Sequence, residues 1–239
     1  VVPQQSPLKL SKKWLQITKY LYEQTGVKVI FKTQRSIPNF EKVLYKGGYD
    51  IAYMNPYHFT VANKKQGYEA FTRADKKIVG ILLAKNKKLD ITKSENLKGK
   101  TFLFPAPNAF AATLLTKFEL RTIYKFDIDK QAKVLYVNSH DSVYKGVSRD
   151  IGQVGGGIIR TFNNFIDKSD KDNINIIYKT KAYPIHPIAA HPRVDKQIVE
   201  KIQKAFLTMP SKLKKILSIN NFIVTDSEEF EIIKKVKSN

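Results

Sequence analysis

The sequence has 239 residues and no cysteine, and none of its apolar runs is long enough to cross a membrane. The missing thiols exclude a disulfide framework, a thiolate metal site and a cysteine nucleophile. Their absence suits an oxidising compartment, although it does not require one. A membrane-spanning helix needs about 20 consecutive apolar residues. We therefore expect a globular protein that reaches a membrane only through an anchor or a partner.

Signatures of common enzymes are also absent. The sequence contains no HExxH, GxSxG or GxxxxGK[ST] motif, so it lacks the marks of zinc proteases, α/β-hydrolases and P-loop enzymes. Histidine occurs at His58, His140, His186 and His191, and this set has no recognisable metal-ligand spacing. We predict a protein that is not an enzyme and that needs neither a metal nor a cofactor.

No signal peptide is recognisable at the start of the sequence. The chain opens with Val1, Val2 and Pro3, which resemble the end of a strand rather than a basic and apolar leader. We expect a mature or trimmed product from which a signal peptide has been removed.

Acidic residues are half as frequent as basic ones, because 21 Asp and Glu stand against 42 Lys and Arg, a formal net charge of +21. A strongly basic domain is typical of nucleic-acid-binding proteins, which makes that function an alternative. It would require the basic residues to gather on one face. The lysines are instead scattered singly or in pairs along the chain, which is typical of solvated surfaces and attracts anions over long range. We therefore expect no nucleic-acid partner.

Helix and strand patterns alternate along the chain. Ser6 and Pro7 predict the start of a first helix, which ends at Gly26. Further helices are predicted to begin at Pro38 and at Asn55-Pro56, and to span residues 108–124, 139–149, 196–208, 211–217 and 228–236. Strands are predicted at residues 27–31, 49–54, 101–104, 134–137, 153–159 and 174–178, with 49–54 typical of a buried parallel strand. This alternation indicates an α/β protein.

Two interruptions divide the predicted elements into two lobes. A polar, lysine-rich stretch follows the apolar run 78–84, and two prolines break the segment 180–187. We predict one lobe from residues 1–82 and 187–239, a second lobe from the inserted residues 83–186, and hinge crossings near 80–86 and 180–187. Each lobe is expected to hold a mixed sheet flanked by helices. Ligands of open α/β sheets bind at the carboxyl ends of strands, so we expect the site in the cleft between the lobes.

Three predicted strand-to-helix junctions place a polar residue at the helix cap, namely Asn55, Asn108 and Ser139. The free N–H groups at a helix start and the helix dipole together favour an anion. Several helix starts that converge can therefore enclose a tetrahedral oxyanion. The same residue types also cap helices that bind no ligand, so each junction alone leaves both interpretations open.

Side chains beside these junctions offer further contacts to an anion. His140 is either a hydrogen-bond donor to the ligand or an ordinary packed residue. The triglycine run 155–157 indicates a close approach of the backbone to another group. Arg160 either forms a fork of hydrogen bonds to an oxyanion or pairs with a carboxylate at the surface. In the second crossing, Tyr183, Pro184 and His186 either line the cleft or pack the hinge.

Taken together, these segments resemble the phosphate-, phosphonate- and phosphite-binding proteins of ABC transporters, a branch of the type II periplasmic binding proteins. The segments that match in order and spacing are residues 49–59, 104–113, 138–143, 155–162 and 183–186. They extend over most of the chain, and their combination is specific although each alone is weak. The resemblance implies two α/β lobes that close on a ligand.

The resemblance also implies binding residues, position by position. Tyr57 falls where family members place an aromatic residue at the cleft, and His140 matches a histidine that contacts the ligand. The helix start at 108–111 departs from well-studied phosphonate binders, which have Ser and Thr hydroxyls there, so Arg160 is a candidate replacement donor. The predicted binding residues are Asn55, Pro56, Tyr57, Asn108, Ala109, Phe110, Ala111, Ser139, His140, Arg160, Thr161 and His186.

The function implied is capture of a small oxyanion, such as a phosphonate, phosphite or phosphate, by closure of the lobes. The implied partners are an ABC permease and its ATPase, and the implied location is periplasmic or otherwise extracytoplasmic, with attachment through an anchor or a partner. We expect a monomer. A sensory domain of the same fold that signals to a kinase is one alternative, and an enzyme on a related fold is another.

Overall fold

A computed structural model of the protein describes residues 1–165 and 167–236. These residues form two compact units, one from Val1–Lys77 and Pro184–Lys235, the other from Ile78–Tyr183. The chain therefore passes from one unit to the other twice. The first break precedes the crossing expected near residues 80–86, and the second falls within 180–187. A hinge at either break stays a prediction.

Helices and strands alternate through both units. The strands are β1 (Ile51–Tyr53), β2 (Glu69–Ala74), β3 (Lys77–Ile78), β4 (Gly80–Ala84), β5 (Thr101–Phe104), β6 (Lys133–Tyr136), β7 (Val154–Ile158), β8 (Asn175–Lys179), β9 (Tyr183–Pro184), β10 (Pro187–Ala190) and β11 (Phe222–Val224). The α-helices are α1 (Pro7–Thr25), α2 (Ile37–Leu44), α3 (Pro56–Gln66), α4 (Ser94–Leu97), α5 (Thr116–Ile123), α6 (Ile128–Gln131), α7 (His140–Ser148), α8 (Ile159–Asn163), α9 (Lys168–Asp172), α10 (Lys196–Leu207) and α11 (Ser211–Ile216). A π-helix, Phe110–Leu115, runs directly into α5, and a 3-10 helix spans Glu228–Val236. Among the described residues, no helix has both the length and the apolar character needed to span a bilayer.

Local sequence signals explain the bounds of the first helix, α1. The Oγ atom of Ser6 accepts a hydrogen bond from the N–H of Lys9 at 3.4 Å, and Pro7 occupies the first helical position. Gly26 ends the helix with φ of 70°, a left-handed conformation that favours glycine. The inward face buries an apolar stripe: Leu10, Trp14, Ile17, Tyr20 and Leu21. Both predicted ends of the helix are therefore confirmed.

The first unit is built on an antiparallel sheet in the order β1-β10-β2-β11. Two expectations were wrong here. The sheet is not mixed, and the strand expected at 49–54 is the antiparallel edge strand β1 rather than a buried parallel strand. Residues 27–31 belong to no described strand. A run of β-branched residues favours an extended chain, but a strand also needs a hydrogen-bonding partner, which a local pattern does not specify.

The second unit is built on a mixed sheet in the order β6-β5-β7-β4-β8. β5 runs parallel to both β6 and β7, whereas β4 is antiparallel to β7 and to β8. The carboxyl ends of β5, β6 and β7 therefore lie along one edge of the sheet. Ligands of such sheets bind beyond this edge, and the three segments that follow these strands are the predicted junctions at 104–110 and 137–141 and the start of α8.

Two apolar clusters cover the two faces of this sheet, because successive side chains of a strand point to opposite faces. Leu103 packs with Val143, Tyr144 and Val147 of α7 on one face. Its neighbours Phe102 and Phe104 pack with Leu120 of α5 on the other face. The helices that follow the strand ends are therefore fixed to the sheet by their own apolar sides.

Two of the predicted helices take a different form. The helix expected at 108–124 begins as the π-helix Phe110–Leu115 and becomes α-helical only at Thr116. The segment 228–236 is a 3-10 helix rather than an α-helix. Asp226 caps its start, because the Oδ1 atom of Asp226 accepts a hydrogen bond from the N–H of Glu229 at 3.1 Å.

Candidate functional site

The start of α7 lies at the carboxyl end of β6 and is capped as the sequence predicts. The Oγ atom of Ser139 accepts a hydrogen bond from the N–H of Ser142 at 3.0 Å, and its hydroxyl also lies 2.8 Å from the Ser142 hydroxyl. Asn138 has φ of 68°, a left-handed turn that Asn tolerates. The first turn of α7 therefore keeps its remaining N–H groups available to an anion.

His140, in this first turn, is buried although it is an ionisable residue. Its relative exposure is 5%, and its Nδ1 atom has no hydrogen-bond partner among the described residues. Burial, together with the positive charge of Arg160, lowers the pKa of His140 from 6.5 to about 4. The ring is therefore neutral at neutral pH, so one nitrogen can donate a hydrogen bond and the other can accept one.

Arg160 and Thr161 lie on the first turn of α8, at the carboxyl end of β7. The Thr161 hydroxyl donates to the carbonyl of Ile158 at 2.9 Å and lies 2.5 Å from the Tyr144 hydroxyl. The ring of Tyr144 in turn lies 6.4 Å from that of His140. Tyr144 thus links these residues in one group: it hydrogen-bonds Thr161, and its ring packs against that of His140. The charge of Arg160 acts on the same histidine.

Tyr144 is the residue of this group that the sequence interpretation missed. It stands four positions after His140, and residues so spaced lie on the same face of a helix. Burial raises the pKa of Tyr144 to about 12, partly offset by its contact with Thr161, so the phenol stays protonated. The i, i+4 spacing was the available signal, but the partner Thr161 is distant in sequence.

The third helix start on this edge is the π-helix after β5. Its cap position, Ala109, has no side-chain acceptor, and its carbonyl accepts from the N–H groups of both Thr113 and Leu114, at 2.8 and 3.2 Å. Ala109 and Ala111 are buried and Asn108 is half-buried. Since these residues bring no hydroxyl group, backbone N–H groups and Asn108 are the donors at this start.

The triglycine run lies inside β7, and the close approach that it indicates is to helices. A Cβ atom on Gly156 would lie 2.1 Å from the carbonyl oxygen of Ala112 and 2.4 Å from the Phe104 ring. A Cβ on Gly155 would meet Val147, and one on Gly157 would meet Tyr144, both under 3.0 Å. The glycines therefore let the π-helix and α7 rest directly on the two faces of the sheet.

In the first unit, three predicted binding residues lie at the start of α3, directly after β1. The Oδ1 atom of Asn55 accepts a hydrogen bond from the N–H of His58 at 2.7 Å, Pro56 is the first helical residue, and Tyr57 is half-buried. The Nε2 atom of His58 lies 3.0 Å from a carboxylate oxygen of Glu41. His58 therefore connects the start of α3 to Glu41 on α2 and stabilises this helix start.

The second crossing brings aromatic packing in each unit. His186, 1% exposed, stacks on Tyr53 with ring centroids 5.4 Å apart, and its Nε2 lies 2.9 Å from the amide nitrogen of Gln4. Tyr183, in the other unit, meets the edge of the Phe110 ring at 6.1 Å. Both residues are buried, and whether they line the cleft or pack a hinge stays a prediction.

The predicted residues thus form one group in each unit. In the second unit, the edge of the sheet gathers Asn108, Ala109, Phe110, Ala111, Ser139, His140, Arg160 and Thr161. In the first unit, the group is Asn55, Pro56 and Tyr57 after β1, with His186 just before β10, the strand paired with β1. Among the residues that the structure describes, no three His, Asp or Glu side chains are placed to hold a metal ion.

Comparison with known protein families gives one match over most of the chain. The model of the periplasmic substrate-binding proteins of phosphonate ABC transporters matches residues 1–230. The comparison with curated proteins gives no match.

Solved structures resemble the fold closely at low sequence identity. A Prochlorococcus marinus protein, PhnD1 in complex with methylphosphonate, has a TM-score of 0.87 and 15% identity, over 98% of this chain and 94% of that chain. A binding protein of a Pseudomonas aeruginosa phosphonate ABC transporter has a TM-score of 0.83 and 17% identity, over 99% and 83%. The Xanthomonas citri protein XAC2383 bound to ATP has a TM-score of 0.73 and 12% identity, over 95% and 92%.

Proposed function

The chain belongs to the family of periplasmic substrate-binding proteins of phosphonate ABC transporters, and from this premise we propose that its ligand is a small phosphorus oxyanion. The predicted two-lobed α/β fold and the solute-binding role are confirmed by the family and by the related structures. A protein of this family is not an enzyme: it binds its substrate for an ABC transporter.

The observation that supports an oxyanion most directly is the edge of the second sheet. The π-helix, α7 and α8 all begin there, and each helix start supplies N–H groups without intrahelical acceptors. Neutral His140 and the positive charge of Arg160 lie at the same edge, and Thr161 follows Arg160 on α8. A group in which hydrogen-bond donors predominate suits a ligand that has several oxygen atoms and negative charge.

The helix start at Ala109–Ala111 narrows the ligand class. It has buried apolar side chains and lacks the hydroxyl donors that well-studied phosphonate binders have there. We infer that the phosphorus oxygens take their side-chain donors from elsewhere on the edge, and that a small apolar substituent on phosphorus can face this start. Methylphosphonate, the ligand in the Prochlorococcus structure, has this chemistry. We infer that a small alkylphosphonate binds at least as well as phosphate.

We infer that Asn55, Pro56, Tyr57 and His186 are the ligand-binding residues of the first unit. A ligand that makes contacts in both units only after closure shifts the equilibrium toward the closed form by its differential affinity. The permease, driven by its ATPase, then takes the ligand from the closed form. A periplasmic monomer held near the membrane by an anchor or by the permease is the arrangement we propose.

A thermal-shift screen tests the ligand class. Methylphosphonate, phosphite, phosphate, 2-aminoethylphosphonate, sulfate, methanesulfonate and ATP are each added to the purified protein. A ligand that binds only the native state raises Tm, so we expect the largest rise with methylphosphonate or another small phosphorus oxyanion. A rise with the sulfur compounds alone, or with none of the set, would contradict the proposal.

The proposed donors are then tested by calorimetry with the ligand that raises Tm most. His140→Ala and Arg160→Ala are each expected to weaken binding by about 1.5–3 kcal/mol, the range for a hydrogen bond to a charged group. Arg149→Ala is the matched control, because Arg149 pairs with Asp170 and not with the proposed group. Unchanged affinity in both His140→Ala and Arg160→Ala would remove these residues from the site.

A further inference from the structure

A buried carboxylate outside the proposed binding group holds the second crossing of the chain. Glu119 on α5 is 2% exposed. Its Oε2 atom accepts a hydrogen bond from the Tyr178 hydroxyl at 2.6 Å, and its Oε1 atom accepts one from the N–H of Lys181 at 3.0 Å. Burial, followed by the contact with Glu119, raises the pKa of Tyr178, so the tyrosine remains a donor. Burying a carboxylate is costly unless its oxygens are satisfied. One of the two bonds goes to the end of β8 and the other to the segment that follows it and leaves the unit.

The segment that Glu119 holds is also tied to the first crossing. The N–H of Thr180 donates to the carbonyl of Gly80 at 2.9 Å, and the Thr180 hydroxyl oxygen accepts from the N–H of Gly80 at 2.9 Å. Tyr183, the last residue of the unit before the break, is buried and has its pKa raised by burial and then by Glu119. The segment that enters the unit, at Gly80, and the segment that leaves it, at Thr180, are thus hydrogen-bonded to each other.

The helix that carries Glu119 begins at the proposed binding edge. The π-helix and α5 are continuous, from Phe110 at the edge to Ile123. Two glycines allow this helix to pack directly on the sheet. A Cβ atom on Gly80 would lie 2.2 Å from the carbonyl oxygen of Ala111, and one on Gly156 would lie 2.1 Å from that of Ala112. A displacement at the start of this helix is therefore passed along a rigid element to the Glu119 carboxylate.

We propose that Glu119 is a positioning residue for ligand capture. It fastens the second crossing to the helix whose start binds the anion, so that the crossing and the binding edge move as one body during closure. The inference rests on the proposed function, since the helix start must bind the ligand for the coupling to matter. Without the two hydrogen bonds of Glu119, only the Thr180–Gly80 bonds hold the crossing at this point. The crossing then moves more easily relative to the binding edge, and closure costs more.

Hydrogen–deuterium exchange without ligand tests whether the hydrogen bonds of Glu119 hold the second crossing. In Glu119→Ala, the amide of Lys181 is expected to exchange about tenfold faster, because it loses its acceptor. Glu119→Gln should restore most of the protection, since an amide oxygen still accepts from Lys181 and the NH2 group can donate to Tyr178. Glu229→Gln is the matched control, because Glu229 is a partly buried carboxylate that pairs with Arg73 in the first unit. Unchanged exchange at Lys181 in Glu119→Ala would overturn the proposal.

The consequence for capture is tested by stopped-flow binding of methylphosphonate. Trp14 is the single tryptophan of the sequence and packs on Tyr53, which stacks on His186 just after the crossing. Glu119→Ala is expected to weaken affinity about five- to tenfold, mainly through faster dissociation, within the usual range of coupling between sites. Glu119→Gln should recover most of it, and Glu229→Gln should bind as the wild type does.

Three outcomes separate this inference from the proposed function. If the wild-type protein fails to bind methylphosphonate, the proposed ligand is wrong. The exchange experiment then tests by itself whether Glu119 holds the second crossing. Wild-type binding together with unchanged affinity and rates in Glu119→Ala counts against Glu119 alone. If Glu119→Ala does not fold, Tyr178→Phe replaces it, because it removes one of the two bonds, and a dissociation rate equal to that of the wild type would overturn the role.

Discussion

At the scale of single residues, His140 combines burial with a ring nitrogen that has no partner among the described residues. Protonating this ring would place a positive charge in a buried position close to the charge of Arg160, which is why its pKa is lowered to about 4. A neutral ring can both donate to and accept from a ligand oxygen. His140 can therefore form a hydrogen bond with a ligand that has an acidic P–O–H group as well as with a fully ionised ligand.

The burial of His140 predicts how stability depends on pH. The unfolded chain takes up a proton at this histidine below about pH 6.5, whereas the folded chain does so only near pH 4. Between these values the unfolded state binds more protons, so stability falls as the pH is lowered through this window. From pH 7 to pH 4 the wild type should lose about 2–3 kcal/mol more of its free energy of unfolding than His140→Gln does.

Urea unfolding of both proteins at a series of pH values measures this difference. The carboxylates that titrate in the same window are common to both proteins and cancel in the comparison. Parallel pH profiles for the wild type and His140→Gln would show that the histidine is not held neutral by the fold.

At the scale of secondary-structure elements, two serines cap helices in the same way in different places. Ser139 caps α7 at the proposed binding edge, and Ser36 caps α2 by accepting a hydrogen bond from the N–H of Asn39 at 3.3 Å. Ser139→Ala and Ser36→Ala should each lower the free energy of unfolding by about 1 kcal/mol, the usual value of such a cap. Only Ser139→Ala should also weaken binding of methylphosphonate, by severalfold, because it loosens the N–H groups and His140 in the first turn of α7.

Chemical unfolding and calorimetry on the same two variants test this pair. Equal losses of affinity would mean that the effect reflects general stability. No loss of affinity in either variant would mean that the start of α7 does not contact the ligand.

The packing of the π-helix on β7 depends on Gly156. A Cβ at this position would overlap the Ala112 carbonyl oxygen and the Phe104 ring, and neither backbone nor a packed ring can move aside cheaply. We expect Gly156→Ala to lower the free energy of unfolding by about 3 kcal/mol and to displace the π-helix start, so that methylphosphonate binding weakens as well.

Gly99→Ala is the comparison, measured by the same unfolding and binding assays. Gly99 has φ of 72°, and no atom lies within 4 Å of the place that an alanine methyl group would take. Alanine there should therefore cost about 1 kcal/mol through backbone strain alone and leave binding unchanged. A Gly156→Ala variant as stable as Gly99→Ala would show that the π-helix does not rest on this glycine.

At the scale of the whole molecule, the net charge of +21 acts on any anion that approaches. Salt screens this attraction, with a Debye length that falls from about 20 Å at low salt to about 4 Å near 0.5 M. The association rate constant for methylphosphonate should therefore fall severalfold over this range, while the dissociation rate constant changes little.

Stopped-flow fluorescence of Trp14 at several NaCl concentrations measures both rate constants. Sodium chloride and sodium fluoride should act alike, which separates screening from competition by chloride for the site. An association rate that is independent of ionic strength would mean that the basic surface plays no part in capture.

The sequence by itself determined features that depend on neighbours along the chain. The cap residues Ser6, Asn55 and Ser139 each bond to an N–H three positions away, so the helix starts could be predicted from local chemistry. The bounds of β5 follow equally from a short apolar run. The family could be recognised because several such segments occur in a fixed order, and that recognition brought the function with it.

Only the tertiary structure decided which distant segments meet. It assigned the triglycine run to helix packing, paired Tyr144 with Thr161, and placed the Glu119 carboxylate on the second crossing. It also left residues 27–31 outside the described strands and made the first sheet antiparallel. Strand pairing and side-chain contacts between residues far apart in sequence are set by the balance of packing over the whole unit, and a local pattern contains no information about that balance.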